Sequence, residues 1–220
     1  MKVDFHCHTY YSPDSINRIP KLISAARKAG LDRLVITDHN SIQGAFEAQR
    51  LAPELILVGE EIQTTAGEIL AAFVSEQIPR GLEPLYVVEL LRKQGAFISI
   101  SHPFDPYRSG WTLAQLEELA PLVDAVEVMN ARALKVEYNT LAQEFARMHH
   151  LAGTAGSDAH LPSEVGRAAL ELPAFTDAES LKVSIKTGGW VGGLSPAWVH
   201  LGSTLAKLKR KPISTEIELK

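Results

Sequence analysis

Leu34-Val35-Ile36-Thr37-Asp38-His39-Asn40 is an apolar run of strand length that breaks off into an acid and a histidine. The run is too short for a buried helix and long enough for a strand covered on both faces. On its N-terminal side Ile19, Leu22, Ile23 and Ala26 recur at helical spacing, and Gly30 stands where a helix C-cap would. On its C-terminal side a second helical stretch runs from about Ser41 to Leu51, and Leu55–Val58 begins another short apolar run. Strand, helix, strand is the signature of a parallel pair joined by a crossover.

The alternation continues in both directions. Lys2–Phe5 reads as an opening strand, and Glu68–Val74 as the hairpin partner of the third strand across Thr64-Thr65-Ala66-Gly67. A helix from about Glu83 to Gln94 is punctuated by Gly95, and Ala96–Ser101 follows as a strand. Thr112 with Gln115 forms a capping box for a helix through Leu119. Ala125–Met129 is a strand, Leu134–Met148 a long helix, and Ala152–Gly156 a strand of small residues. Thr176 with Glu179 makes a second capping box, for a helix through Ile185. About six or seven such repeats predict βαβ units and a parallel sheet, in one domain over residues 1–202. From Ser203 to Lys220 the chain turns polar and basic, and reads as a surface tail.

Composition narrows the function classes. At 220 residues with 45% hydrophobic and 22% charged, the chain is long and apolar enough to fold around its own core. A formal charge of −4 gives no global attraction to nucleic acid or an anionic membrane, so long nucleic acid is disfavoured as a substrate. One cysteine excludes a disulfide framework and a Cys-rich zinc site. No apolar run approaches membrane-span length, and MKVDFHCHTYY lacks the apolar stretch of a signal peptide. A cytoplasmic location and no membrane partner are the expectations.

The chemistry gathers at the ends of the expected strands. Five of the eight histidines, His6, His8, His39, His102 and His160, lie there, and so do Asp4, Asp38, Glu61 and Asp158. In a barrel of parallel strands this is the face that carries the active site. In Asp4-Phe5-His6-Cys7-His8 the two histidines, two apart, share one side of an extended chain while Cys7 points away. Asp158-Ala159-His160 repeats that spacing. Pro103 ends the strand just after His102. Asp38 is placed to orient a histidine from behind. Of Glu60 and Glu61 only one can face the barrel, and alternation alone leaves the choice open. Imidazole and carboxylate without thiolate suit zinc, iron or manganese, and the set is too large for one tetrahedral ion.

The motifs DFHCHTYYSPDS (residues 4–15), VITDHN, GEEI, ISHPF and GSDAH, in this order, resemble the polymerase-and-histidinol-phosphatase (PHP) family of metal-dependent phosphoesterases. The resemblance spans residues 4 to 160 and implies a distorted (β/α)7 TIM-like barrel with its metal site at the C-terminal ends of the strands. It implies metal ligands at His6, His8, Asp14, His39, Glu61, His102, Asp158 and His160, and it selects Glu61 over Glu60. A further family ligand belongs on the strand Val126–Asn130, where this chain has Glu127 and Asn130 instead. Only 40 residues separate Glu61 from His102, and the hairpin and helix use them all, so no capping subdomain is expected.

The implied activity is hydrolysis of a phosphate ester, a small phosphomonoester or a nucleotide, by a metal-bridging hydroxide at a di- or trinuclear site. His102, Asp158 and Glu61 form the catalytic set. Three divalent ions would leave positive charge over Asp14, Glu61 and Asp158 to receive a phosphate dianion, whereas two would need help from arginines. Arg108, Arg132 and Arg167 follow strand ends or site loops and are the candidate substrate-binding guanidiniums. Tyr10 and Tyr11 are candidate pocket walls, Cys7 a small buried residue, and His149 and His150 complement a helix C-terminus. The competing expectations are a non-catalytic metal-binding module and an amidohydrolase-type C–N or ester hydrolase. The second commonly bridges its metals with a modified lysine, and no lysine stands at a strand end between His39 and Asp158. Short nucleic-acid ends stay within the substrate range, and the oligomeric state is open.

Overall fold

The structure is a computed structural model that describes residues 1–108, 110–196 and 199. The expected 203–220 tail, the last residues of the expected 1–202 domain and His200 lie outside the described residues. The elements in chain order are β1 (Lys2–Asp4), α1 (Ile19–Lys28), β2 (Arg33–Ile36), α2 (Gln43–Leu51), β3 (Ile56–Gln63), β4 (Glu68–Ala72) and α3 (Pro84–Lys93). They continue with β5 (Phe97–Ile100), α4 (Leu113–Leu119), β6 (Ala125–Asn130), α5 (Val136–Met148), β7 (Ala152–Gly156), β8 (Ala168–Glu171), α6 (Ala178–Ser184) and β9 (Gly189–Gly192).

The strands form one sheet in the order β7-β6-β5-β4-β3-β2-β1-β8-β9. Pairs β1–β2, β2–β3, β5–β6 and β6–β7 are parallel, while β4 runs antiparallel to both β3 and β5. The β3–β4 hairpin therefore takes the place of one strand–helix unit. The two ends of the β1–β7 run meet beyond the named strands. Phe5 N donates to Ala155 O (3.1 Å), Asp158 N to His6 O (2.7 Å) and His8 N to Ala159 O (3.0 Å). The result is a nearly closed, distorted barrel, with β8 and β9 continuing the sheet beyond β1, β8 antiparallel to β1 and β9 antiparallel to β8.

Strand alternation builds two apolar layers. In β2, Leu34 and Ile36 face the helices, where Leu22, Ala26, Ala45 and Ala48 meet them. Val35 between them faces the barrel interior with Phe5, Phe97, Ala125 and Ala155. Leu181 and Ile185, in and just after α6, join this interior layer. The same alternation separates the two glutamates of β3. Ile56, Val58 and Ile62 share the helix-facing side. Glu60 lies on that side too, buried, with Oε2 accepting from Ile78 N at 2.9 Å. Burial, with so little compensation, pushes the Glu60 carboxyl up to about 8. Glu61 points the other way, into the barrel mouth.

Three expectations are corrected in detail. The third strand does not stop at Val58 but runs to Gln63, so the glutamates are inside it, paired with Ala71 and Leu70 of β4. The last helix is capped by Asp177 with Ser180, one residue beyond Thr176 and Glu179, because Asp177 accepts from Ser180 N at 2.8 Å. Strands β8 and β9 were not expected. Both are short, and two of the four residues of β9 are glycine, so neither carries a strand pattern. The Thr112–Gln115 capping box is formed as expected, with both of its bonds present. Among the described residues, no helix is long and apolar enough to cross a membrane.

The closing seam needs glycine at one position. A Cβ on Gly156 would lie 2.3 Å from His6 Cβ and 2.8 Å from His6 N. Gly156→Ala is expected to lower stability by about 1–3 kcal/mol, the cost of overpacking a rigid seam. It should read as a lower urea midpoint at an unchanged slope.

Candidate metal centre

The loops after β1, β2, β5 and β7, together with the inward face of the β3–β4 hairpin, bring the candidate ligands together. All belong to these segments, Asp14 lying on the part of the loop after β1 that follows His8. Three non-glycine residues with positive φ, Asn40 (52°), His102 (20°) and Asp158 (52°), stand just past β2, β5 and β7. Backbone strain of this kind concentrates at functional sites.

Hydrogen bonding fixes which ring nitrogens face the centre. Ser12 Oγ gives its single proton to Asp38 Oδ1 (2.8 Å). It must therefore accept from His8 Nδ1, 3.1 Å away, and it also accepts from His39 N at 3.0 Å. His6 Nδ1 lies 2.9 Å from the Glu127 carboxylate, and His160 Nδ1 lies 2.8 Å from the carbonyl of Asp158. Carboxylate and carbonyl oxygens only accept, so both Nδ1 atoms carry the proton. In His6, His8 and His160 alike, Nε2 is therefore the nitrogen that faces the centre.

Those nitrogens converge on carboxylates and on one another. His6 Nε2 and His8 Nε2 are 3.1 Å apart. Glu61 Oε2 lies 3.3 Å from His6 Nε2 and 3.4 Å from His8 Nε2, and Asp158 Oδ1 lies 3.2 Å from His8 Nε2. Asp14 sits between His39 Nε2 (3.5 Å) and His160 Nε2 (3.3 Å). Glu61 Oε1 and Glu68 Oε2 lie 3.2 and 3.4 Å from His102 Nε2. Two donors on one tetrahedral ion, each about 2.1 Å from it, stand about 3.4 Å apart. Imidazole nitrogens and carboxylate oxygens at these spacings fit bound metal ions. Burial would push the His6 and His39 rings down, but with no ion between them the surrounding carboxylates raise both well above the usual imidazole range, so that protons take the place of the cations. The groups His6/His8/Asp158, His8/His39/His160 and His39/Glu61/Glu68 each place donor atoms close enough for one ion.

The electrostatics agree. Burial would push the Asp158 carboxyl up, but the guanidinium of Arg108 and the His6 ring hold it well below the usual carboxylate range. Burial, reinforced by His160 and His39, pushes His8 down to about 3, which keeps it a neutral ligand. Asp4 stands outside the ligand group. It accepts from the backbone N–H of His6, Ser157 and Gly166, tying the first motif to the last, and burial pushes it up to about 6.

The expected residues separate into those that meet and those that do not. His6, His8, Asp14, His39, Glu61, His102, Asp158 and His160 form one cluster. Asp38 touches no imidazole directly. It binds Thr9 N (2.6 Å) and Ser12, and orients His8 through Ser12. Arg108 reaches the cluster, donating to Asp158 Oδ2, to Asn130 Oδ1 (3.0 Å) and to Asp105 (3.1 Å). Arg132 borders the same cleft and lies 3.3 Å from Glu164. Arg167 does not reach it: its Nε donates to Leu194 O at 3.2 Å. Tyr10 and Tyr11 both donate to Glu47 instead of walling the cleft. Cys7 is fully buried, as expected. His149 caps α5 and faces Glu117 at 3.2 Å.

Glu127 is no inward ligand. One of its oxygens holds His6, and the other accepts from His102 N (2.9 Å) and Asn130 Nδ2 (3.1 Å). The residue missed by sequence reasoning is Glu68. It shares the inward face of β4 with Leu70, two residues on, which is paired with Glu61. That register could have pointed to it. The cleft over the cluster measures about 270 Å³ and is bordered by Asp14, Glu68, His102, Tyr107, Arg108 and Arg132 among others.

Residues 136–188 match the PHP-associated (PHP_C) family. The solved structure of a Bifidobacterium adolescentis protein classed among metal-dependent phosphoesterases superposes with a TM-score of 0.63, at 19% identity, over 82% of this chain and 94% of that one. This chain belongs to the PHP family. Two uncharacterized proteins of Methanocaldococcus jannaschii are related to this PHP protein. MJ1587 is 36% identical over 146 residues, 60% of this chain and 82% of the relative. MJ0417 is 34% identical over 176 residues, 78% of this chain and 70% of the relative. PsfC of Pseudomonas syringae shares the fold, with a TM-score of 0.69 at 19% identity over 94% and 96% of the two chains.

Proposed function

We propose that this PHP protein hydrolyses phosphate esters, small phosphomonoesters or nucleotides, at a centre of two or three divalent ions. The observation that carries the proposal is the convergence, on one small cleft, of the inward imidazole nitrogens of His6, His8 and His160 with the carboxylates of Glu61 and Asp158 and the guanidinium of Arg108. Bound divalent ions supply Lewis-acid polarisation of a phosphoryl oxygen and a water acidic enough to act near neutral pH.

The chain's own residues hold and orient. Glu61 spans the cluster, one oxygen toward His6 and His8 and the other toward His102. His102 is a ligand in this assignment, since its Nε2 is committed to Glu61 and Glu68. Asp158 uses Oδ1 toward the histidines and Oδ2 toward Arg108. Arg108 fits the non-bridging oxygens of a phosphate, as a fork that matches their spacing. Four carboxylates, Asp14, Glu61, Glu68 and Asp158, face the site, one more than the motifs alone supply. That raises the cation charge needed before a dianion is welcome, and it strengthens the case for arginine. The cleft volume favours a small ester over a polymer.

The test is elemental analysis of the purified protein beside phosphate release from a panel of phosphomonoesters and nucleotides, with amide and carboxylic-ester substrates in parallel. Metal with phosphate release supports the assignment. Metal with cleavage of only the amides or esters replaces it with the amidohydrolase reading, and metal with no turnover replaces it with the binding-module reading. Arg108→Ala is expected to raise KM for a phosphomonoester about 10–100-fold at unchanged metal content, the loss of a charge-assisted pair. Arg108→Lys should recover only part of it, because the fork is lost.

A further inference from the structure

The three ligand groups of this centre are not chemically alike. Around His6 and His8 the donors are two imidazoles with Asp158 and one oxygen of Glu61. Around Asp14 they are the imidazoles of His39 and His160. The third group gathers the carboxylates of Glu61 and Glu68 with His39, and His102 Nε2 stands beside the same two carboxylates, 3.2 Å from Glu61 Oε1 and 3.4 Å from Glu68 Oε2. The Nδ1 of His39 lies 2.9 Å from Glu61 Oε2 and 3.8 Å from Glu68 Oε1. His39 presents Nε2 to Asp14, and a neutral ring offers only one lone pair, so it can serve one position at a time.

The third position owes this character to two features of the chain. On β6, Glu127 and Asn130 are occupied in holding His6, His102 N, Asp158 and Arg108, so that strand delivers no donor to the ion. Glu68 supplies one from the opposite side, on β4. Its side chain is 15% exposed and lines the cleft, whereas Glu61 and Asp158 are almost wholly buried. The position is therefore oxygen-rich, and Glu68 opens it to the cleft, as His39 (23% exposed) opens the Asp14 position.

Resting on the metal-centre reading above, we propose that this PHP protein is a mixed-metal one. Its imidazole-rich positions take zinc or iron, and the Glu61–Glu68–His102 position takes a hard ion of the manganese class, with Glu68 as the residue that selects it. Carboxylate oxygen favours manganese and magnesium, while imidazole favours zinc and iron. Geometry and donor type, not raw affinity, decide occupancy when zinc binds most sites more tightly.

The experiment strips the full-length protein with a chelator, then reloads it with equal zinc and manganese. After desalting, both metals are counted by elemental analysis, and bound manganese is read by its electron paramagnetic resonance spectrum. The wild type is expected to hold zinc together with about one equivalent of manganese. Glu68→His should cut bound manganese about tenfold and replace it with zinc. Glu68→Gln, nearly isosteric, should lose manganese without gaining zinc, and it carries the test should the histidine variant fail to fold by circular dichroism. Zinc at every position of the wild type overturns the proposal. So does a manganese content that neither substitution changes. Failure to bind either metal would instead overturn the metal centre itself, and with it the proposed function.

Discussion

Asp158→Ala is expected to cut phosphate release by about 10³-fold while leaving the barrel folded. One Asp158 oxygen lies 3.2 Å from His8 Nε2, 3.6 Å from His6 Nε2 and 3.5 Å from His160 Nδ1. The other takes Arg108 and Asn130 Nδ2. The substitution thus removes a metal donor and releases the guanidinium that the donor positions. His8→Ala should have a similar effect by a different route, since His8 Nε2 lies within 3.4 Å of His6, Glu61 and Asp158 together. Neither side chain belongs to the apolar layers, so the far-ultraviolet circular dichroism of both variants should match the wild type. Activity within tenfold of wild type in both would sink the proposed site.

The second large effect is the stability lost with the metal. Without a cation, the carboxylates of Asp14, Glu61, Glu68 and Asp158 crowd one small space, where only nearby histidines and Arg108 offset their charge. A ligand present at a thousand times its dissociation constant stabilises the fold by about 4 kcal/mol. For a domain near this size each kcal/mol moves Tm by about 2–4 °C. Chelation is therefore expected to lower Tm by about 8–16 °C and to abolish phosphate release, with both restored on adding zinc and manganese. Equal Tm values with and without chelator would show that the cluster binds no ion in the folded state.

What was legible in the sequence was whatever local pattern controls. Apolar runs with period two, helical spacing and cap residues marked the strands and helices that make the barrel, because each depends on neighbours within a few positions. Each of the motifs at the strand ends could be read in the same way. His6 and His8 share a side because they are two residues apart in an extended chain, and Asp158 and His160 repeat that spacing. The β3–β4 hairpin was legible from its turn.

What escaped depended on residues far apart. Glu60 and Glu61 were equivalent until the layers of Ile56, Val58 and Ile62 showed which side of β3 faces the helices. Glu68 looked like an ordinary residue at the start of a hairpin strand, and only the register against Glu61 turns it inward. Glu127 and Asn130 stood where a ligand was due, and only the approach of His6 and Arg108 shows how they are used. Arg108 and Arg167 were alike as loop arginines. One folds onto Asp158, fifty residues away, and the other onto a carbonyl outside the cleft. The sequence by itself determined the alternating elements and the set of donors, because hydrophobic periodicity and residue type are local properties. Tertiary structure decided which oxygen or nitrogen of each donor faces the centre, because a tautomer or a carboxylate orientation is set by the hydrogen-bond partner behind it, and that partner arrives from elsewhere in the chain.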